Sequence, residues 1–235
     1  MTSVKLTASL WVSLAIVAGA RVAKANEFRT PAQDRGAHRN RINDLTGCVG
    51  EFAAIAAAND HGASIQHEFF DASGPVKRPD FYANGIGFDA KALLLDASRR
   101  YFILDRKAVQ MAASKSILAF VPVVARMFGD RALVGSRITL SDAMKWPLKD
   151  FGYGETYALP LDELGARYFS MTTHQMLRAT GLDIFGVAGA DLMESAFVHG
   201  SNLRHAGVNA IVQQVGISEA LLMLADDYAK RRIHE

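Results

Sequence analysis

Apolar residues run almost unbroken from Leu6 to Ala20. Leu10, Leu14 and Val17 repeat at helical spacing, and Ser9 and Ser13 form a polar edge. The pattern predicts a first helix packed on the body of the protein. Residues 26–43 are polar and read as a loop. Thr46 to Ala58 is small and apolar and predicts a helix, with Thr46 as its cap. Gly47 and Gly50 cost that helix stability, so they mark close backbone packing. A period of two then takes over. Residues 65–70 read as a strand, and Arg78–Ala83 and Ile86–Leu95 flank an Asn84-Gly85 hairpin turn. Tyr101–Asp105 is a strand or strand end, and Asp105 is placed to cap a helix to Ser116. Ile117–Ala125 reads as an apolar strand, in which Pro122 predicts an edge or bulge. Arg131–Leu140 is another strand, Ser141 caps a short helix ended near Pro147, and a last strand lies near Tyr157–Leu159. The rest, to Glu235, reads as mainly helical. The order of helix, three strands, helix, strand, strand predicts a mixed α/β fold around one core.

The chain has 235 residues, half of them apolar, enough for one α/β domain with a helical extension or for two small domains. A net charge of +2 argues for no partner. Its distribution says more. Arg21, Lys24, Arg29, Arg35, Arg39 and Arg41 are opposed only by Glu27 and Asp34. Such a run suits a phosphate backbone, and equally a solvated helix face. The single cysteine, Cys48, excludes an intrachain disulfide and a multi-cysteine zinc site, fits a reducing compartment and reads as a packing residue. Lys5, the apolar run and Ala23-Lys24-Ala25 imitate a signal peptide. Arg21 and Lys24, however, sit between the apolar run and the would-be cleavage point, and the run is shorter than the ~20 residues a membrane span needs. The expectation is a cytoplasmic protein without a membrane segment, with export of a chain processed near residue 25 as the alternative.

The hairpin carries the candidate chemistry. A two-residue turn pairs Ala83 with Ile86, Tyr82 with Gly87, Phe81 with Phe88 and Asp80 with Asp89. The two aspartates then face each other in a non-hydrogen-bonded pair, the closer kind, on the face that also carries Tyr82, Gly87 and Lys91. Facing carboxylates repel, and a bound cation turns that cost into a site for Mg²⁺ or Mn²⁺. Lys91 is within reach of anything the metal holds, and Gly87 leaves room beside it. Phe81 and Phe88 form a cross-strand pair on the opposite, core face. The alternative is a solvated sheet face on which Arg78 and Lys91 neutralise the aspartates.

Pro79-Asp80 followed by Asp89-Ala90-Lys91 resembles the signature of the PD-(D/E)XK nuclease superfamily, the restriction-endonuclease-like fold. Gly50-Glu51 is similar to the glycine–glutamate often found on that family's first core helix. The order of elements from about 41 to 125 resembles its αβββαβ core, so the likeness covers about half the chain and leaves residues 165–235 unmatched. The resemblance implies a mixed central sheet with that core. Residues 1–164 would form the catalytic domain, and the helical region 165–235 an extension for dimerisation or substrate contacts. It implies Asp80 and Asp89 as metal ligands, the Ala90 carbonyl as a further ligand, and Glu51 binding metal or a metal-bound water. Lys91 would orient the attacking water and steady charge on the phosphate. The implied activity is Mg²⁺-dependent hydrolysis of DNA, with Mn²⁺ able to substitute, by an endonuclease leaving 5′-phosphate ends and acting as a homodimer. Lys107 and Gln110 look like positions that some members direct at the site. Arg35, Arg39 and Arg41 would contact nucleic acid.

Two other readings compete. Gly85, Gly87 and Ala90 match G-x-G-x-x-A, with Asp105 twenty residues after Gly85, as in a nicotinamide-dinucleotide-binding oxidoreductase. The segment before it, "VKRPDFYAN", is charged and contains proline, unlike the buried strand that such a loop follows. Residues 211–231, with a Gly216-Ile217-Ser218 turn, imitate the helix-turn-helix of a non-catalytic DNA-binding protein. Glu219, Asp226 and Asp227 would put acid against phosphates there, which favours a core or dimerisation helix. His174, His199 and His205 form no metal motif.

Overall fold

The structure is a computed structural model that describes residues 1–26, 36–67, 78–96, 98, 100–152, 154–186, 189–203 and 217–233. It is mixed α/β. The main sheet takes in β1 (Thr2–Lys5), β2 (Ile65–His67), β3 (Phe81–Ala83), β4 (Ile86–Leu95), β6 (Ile117–Arg126), β7 (Arg131–Val134) and β8 (Ile138–Thr139). Its order is β1-β7-β6-β4-β3-β2, with β8 also paired to β6. β2, β3 and β4 form an antiparallel meander, and β4 runs parallel to β6. β5 (Tyr101–Asp105) lies in the crossover between them, yet joins a second sheet of order β5-β10-β9 with β9 (Leu148–Asp150) and β10 (Glu155–Pro160).

Strand alternation gives the main sheet two buried faces. Phe88, Ala90, Ala119, Val121 and Val123 face a core shared with the helices α1 (Ala8–Asn26) and α2 (Ala37–Asp60). Leu93, Leu95, Phe120 and Val124 face a second core, which Phe102, Leu104, Tyr157 and Leu159 of the smaller sheet complete. α1 is long and apolar enough to cross a membrane, but here it is a core helix in which Trp11, Leu14, Ala15 and Ile16 have no exposure. In the region 165–235, Met193, Ala196 and Phe197 of a helix at Gly189–Asn202 enter the α1 core. So do Ala220, Leu221, Leu224 and Tyr228 of a helix at Ile217–Ile233.

Several expectations are corrected. α2 begins at Ala37, within the segment read as a loop, and Thr46 lies inside it, donating to the Ile42 carbonyl at 2.7 Å. Gly50 does allow close packing: a Cβ there would stand 2.6 Å from the Ala92 Cβ, whereas one at Gly47 would meet nothing. Asp105 does cap its helix, α3 (Arg106–Met111), by accepting from the Ala108 N–H, but the helix is short and gives way to a 3₁₀ turn at Ala113–Lys115. The strand expected at 131–140 is split in two, and Thr139, not Ser141, caps α4 (Leu140–Ala143). β6 is a central strand despite Pro122. β8 pairs with Ala119 and Phe120, and β7 with Val123 to Ala125. The missing N–H of Pro122 falls in the gap between these two partners, where its carbonyl accepts from Gly135 N at 2.9 Å. Of the strand expected at 65–70, residues 68–70 lie outside the described residues.

Candidate active site

The hairpin forms in the expected register, with Phe81 opposite Phe88, Tyr82 opposite Gly87 and Ala83 opposite Ile86. Asn84 and Gly85 both adopt positive φ, 51° and 76°, as a two-residue turn of this twist demands. The Phe81 and Phe88 rings stack at 5.6 Å inside the α1–α2 core. The β3–β4 ladder stops at Phe81. Pro79 has no N–H to extend it. By strand alternation the Ala90 N–H points to the side that β3 has left. Asp80 Oδ2 accepts that N–H at 2.8 Å, so a side chain takes over where the strand ends.

At this opening Asp80 follows the last backbone pair of the hairpin, Phe81 with Phe88, and so lies across from Asp89. Lys91 Nζ donates to Asp89 Oδ1 at 2.9 Å and lies 2.9 Å from Oδ2. Burial pushes the Asp80 pKa well up, and the charges of Asp89 and Glu51 push it further. Burial presses Asp89 the same way, but Lys91 and the hydrogen bond from Asp80 outweigh it, and its pKa is lowered. The two carboxyl groups are thus pushed in opposite directions, Asp80 up and Asp89 down. Burial opposes the Lys91 ammonium, yet Asp89 and Asp80 overcome it and raise its pKa. Asp89 is only 8% exposed, which corrects the alternative of a solvated sheet face.

Glu51 sits midway along α2, where both of its oxygens accept from Arg21 of α1, at 2.8 Å from Nη1 and 2.6 Å from Nη2. Each side chain of this pair is 13% exposed. Cys48, one turn earlier on α2, is fully buried. Burial pushes its thiol up to about 12, against the opposing pull of Arg21.

The implied divalent cation would have to be held by the side chains and carbonyls of this opening. Two neighbouring carboxyl groups suit a hard metal. The Ala90 carbonyl projects from the same strand edge as its N–H. Magnesium, which keeps several waters, fits so few protein oxygens. The expected three-carboxylate set is not assembled, however. Among the described residues, no three His, Cys, Asp or Glu side chains group as metal ligands, and both oxygens of Glu51 are on Arg21.

Other expected residues fall elsewhere. Lys107 and Gln110 lie on the exposed side of α3. The basic residue that this crossover brings to bear on Asp89 is Lys115, which helps to lower its pKa. Arg39 is exposed on the first turn of α2. Arg41 is tied to the protein, ion-paired with Glu194 and lying 5.8 Å over the Phe197 ring. Arg35 lies outside the described residues. Gly87 leaves no free room: a Cβ there would meet the Ser116 carbonyl oxygen at 2.3 Å and Pro79 Cγ at 2.5 Å. The segment Gly85–Ala90 is a turn followed by a strand, so the strand–turn–helix that a dinucleotide fingerprint requires is not formed there. Gly216, of the helix-turn-helix reading, lies outside the described residues, and the helix after it buries its apolar face against α1. Sequence reasoning missed Arg21 and Lys115. The signal for Arg21 was a lone cation ending a run of otherwise buried apolar residues.

Comparison with known proteins yields no relative: no family model, no curated protein and no solved structure matches the chain.

Proposed function

We propose that this chain is a Mg²⁺-dependent nuclease of the PD-(D/E)XK type that hydrolyses phosphodiester bonds in DNA. The observation that carries the reading is the placing of Asp80 and Asp89 across from each other where β3 leaves β4, with Asp80 Oδ2 on the Ala90 N–H at 2.8 Å and Lys91 Nζ 2.9 Å from Asp89. The antiparallel β2-β3-β4 meander followed by parallel β6 supports it, since this is the strand order of an αβββαβ core. β5 departs from that plan by leaving for a second sheet.

In this reading Asp80 and Asp89 supply the carboxylate oxygens and Ala90 its carbonyl. A bound Mg²⁺ supplies Lewis acidity toward a phosphoryl oxygen and acidifies a water. Lys91, kept charged by two carboxylates, orients the attacking water and offsets charge that builds on the phosphate. Glu51, held by Arg21 through both oxygens, is not counted among these ligands. Endonucleolytic action, 5′-phosphate ends, a homodimer and a cytoplasmic location belong to the same proposal. The deciding assay is plasmid cleavage in Mg²⁺, Mn²⁺ or EDTA, with Asp89→Ala alongside. Cutting that needs metal and is lost in the variant supports the reading, and cutting that persists in EDTA or in the variant overturns it.

A second reading, a non-catalytic DNA-binding relative, draws on one observation: Glu51 is engaged by Arg21 rather than turned to the aspartate pair. Cation binding with no cleavage of any DNA substrate would favour it.

A further inference from the structure

We propose that Lys5, Arg131 and Arg126 form a phosphate-contact row for nucleic acid, at the end of the main sheet remote from the acid pair. The inference rests on the nuclease reading for the identity of the polyanion; the row itself is read from strand register. Lys5 of β1 is paired directly with Arg131 of β7. Arg131 and Arg126 form the next rung beyond Ala132 with Ala125, the last backbone pair of β7 and β6, and they flank the turn between those strands. Three cations therefore stand side by side on three neighbouring strands, ~5 Å from one strand to the next. Alternation sends them to one face. Leu133 and Val124, two residues away on the same strands, belong to the second core, whereas Val4, next to Lys5, belongs to the core of α1 and α2.

Like charges directly opposite each other destabilise a sheet, and an anion laid across them reverses that cost. Arg126 Nη1 donates to the Gly181 carbonyl at 3.3 Å, which fixes the guanidinium and leaves it further N–H groups. Arg131 Nε stands 4.0 Å from Asp130 Oδ2, the limit of an ion pair, and its side chain is 57% exposed. Lys5 is exposed on a strand at the sheet edge. Arg178 adds a further exposed cation, its carbonyl accepting from the Gly181 N–H. The acids nearby point elsewhere. Asp183 accepts from the Phe185 and Gly186 N–H groups of its own loop, and Asp96, which follows the Arg126 partner Leu95, accepts from Ser98. Positive charge is thus in excess here among the described residues. A straight row of cations fits phosphates repeated along a backbone, which release counterions as they are neutralised. Asp89 is paired with Phe120, so Arg126 lies ~20 Å further along β6. The row adds affinity and direction to the binding of a polymer, and no chemistry.

The test is fluorescence anisotropy of a labelled short DNA duplex with the full chain in EDTA, across a salt series, since it needs neither metal nor turnover. For duplex DNA the logarithm of affinity falls with the logarithm of salt by about 0.9 for each phosphate contact. Lys5→Gln and Arg131→Gln should each weaken binding and reduce that slope by about 0.9, and the double variant by about twice as much. Arg126→Gln should do the same where circular dichroism shows it folded; the exposed Lys5 and Arg131 carry the test without it. Lys145→Gln, which removes an exposed cation elsewhere, should leave the slope unchanged. Wild-type slopes in folded Lys5→Gln and Arg131→Gln overturn the proposal, and so does an equal fall in Lys145→Gln. Vesicles of phosphatidylserine and phosphatidylcholine form a second arm. Binding to these with none to DNA overturns the proposal and assigns the row, with the 79% exposed Leu182 beside Gly181, to a lipid surface. Plasmid cleavage is scored separately. Row-dependent DNA binding without metal-dependent cutting supports the row and overturns the nuclease reading alone. Metal-dependent cutting that is lost in Asp89→Ala, with a row that does not respond, overturns this proposal alone.

Discussion

Asp80 completes a hydrogen-bond ladder that its own strand abandons: its Oδ2 takes the Ala90 N–H at 2.8 Å, one residue beyond the last backbone pair of β3 and β4. The same residue lies across the hairpin from Asp89. A group that serves both as a strand cap and as half of an acid pair is under opposing demands, and these can be separated by experiment.

Asp80→Asn keeps an acceptor for Ala90 and a donor for Asp89 while removing the ionisable group. The raised pKa of Asp80, caused first by burial and then by Asp89 and Glu51, fixes the sign. Its contribution to stability is fully present below the unfolded value near 3.8 and is lost as pH rises through the raised folded value. In EDTA at pH 8 the variant should melt higher than wild type, by ~2–4 °C for each kcal/mol relieved in a chain of this size. The gap should close toward pH 4. A variant that melts lower at pH 8 would show that the pair carries no net repulsion.

On the nuclease reading, Asp89→Ala and Lys91→Ala should each reduce metal-dependent cleavage by about 10²–10³-fold, the scale for losing one preorganised charge at a reacting centre. Far-UV circular dichroism should confirm that each variant is folded, because either change breaks the partly buried Lys91–Asp89 pair. Wild-type rates in either variant would remove that residue from the mechanism.

Cys48 is fully buried and its thiol is pushed up to about 12, so it is neutral across the physiological range. It should resist a thiol-specific disulfide reagent in the native protein and react at once in denaturant. Rapid reaction of the folded chain would mean that α1 and α2 part far more readily than their packing suggests.

Gly87→Ala should be among the most damaging single-methyl changes in the hairpin. The added Cβ would meet the backbone oxygen of Ser116, which sits at a positive φ of 59° and cannot easily yield. Overpacking of this kind costs about 1–3 kcal/mol, which urea denaturation would resolve. A neutral result would show that the junction between the 3₁₀ turn and β6 is pliable.

The hairpin was legible because its information is local. Asn84-Gly85 fixes the turn, and a period of two then assigns Phe81 and Phe88 to one face and Asp89 and Lys91 to the other. Asp105 was legible as a cap for the same reason. What failed was non-local. Tyr101–Asp105 reads as a strand, but nothing in five residues says that its partner is β10 in a separate sheet. Residues 37–43 look like a loop because much of that stretch of α2 faces solvent, where polar side chains are compatible with a helix. β1 is four residues with no turn signal, and its pairing to β7 cannot be seen from either end alone. Arg21 could be counted in a basic run but not matched to Glu51, since a salt bridge between helices leaves no periodic trace.

The seating of α1 sets the order in which the cluster can be assembled. Its Gly19 lies directly against the Phe197 carbonyl, and its Ser13 hydroxyl donates to the Leu221 carbonyl. α1 thus emerges from the ribosome long before the two C-terminal helices that cover it. The Asp80–Asp89 hairpin closes by short-range contacts and needs none of them, whereas the cradle that fixes Arg21 waits for a closure spanning most of the sequence. Chains clipped before residue 189 would keep the acid pair but leave the arginine on an uncovered apolar helix. Synthesis of the C-terminal helices is then the step that completes the charge balance of the cluster.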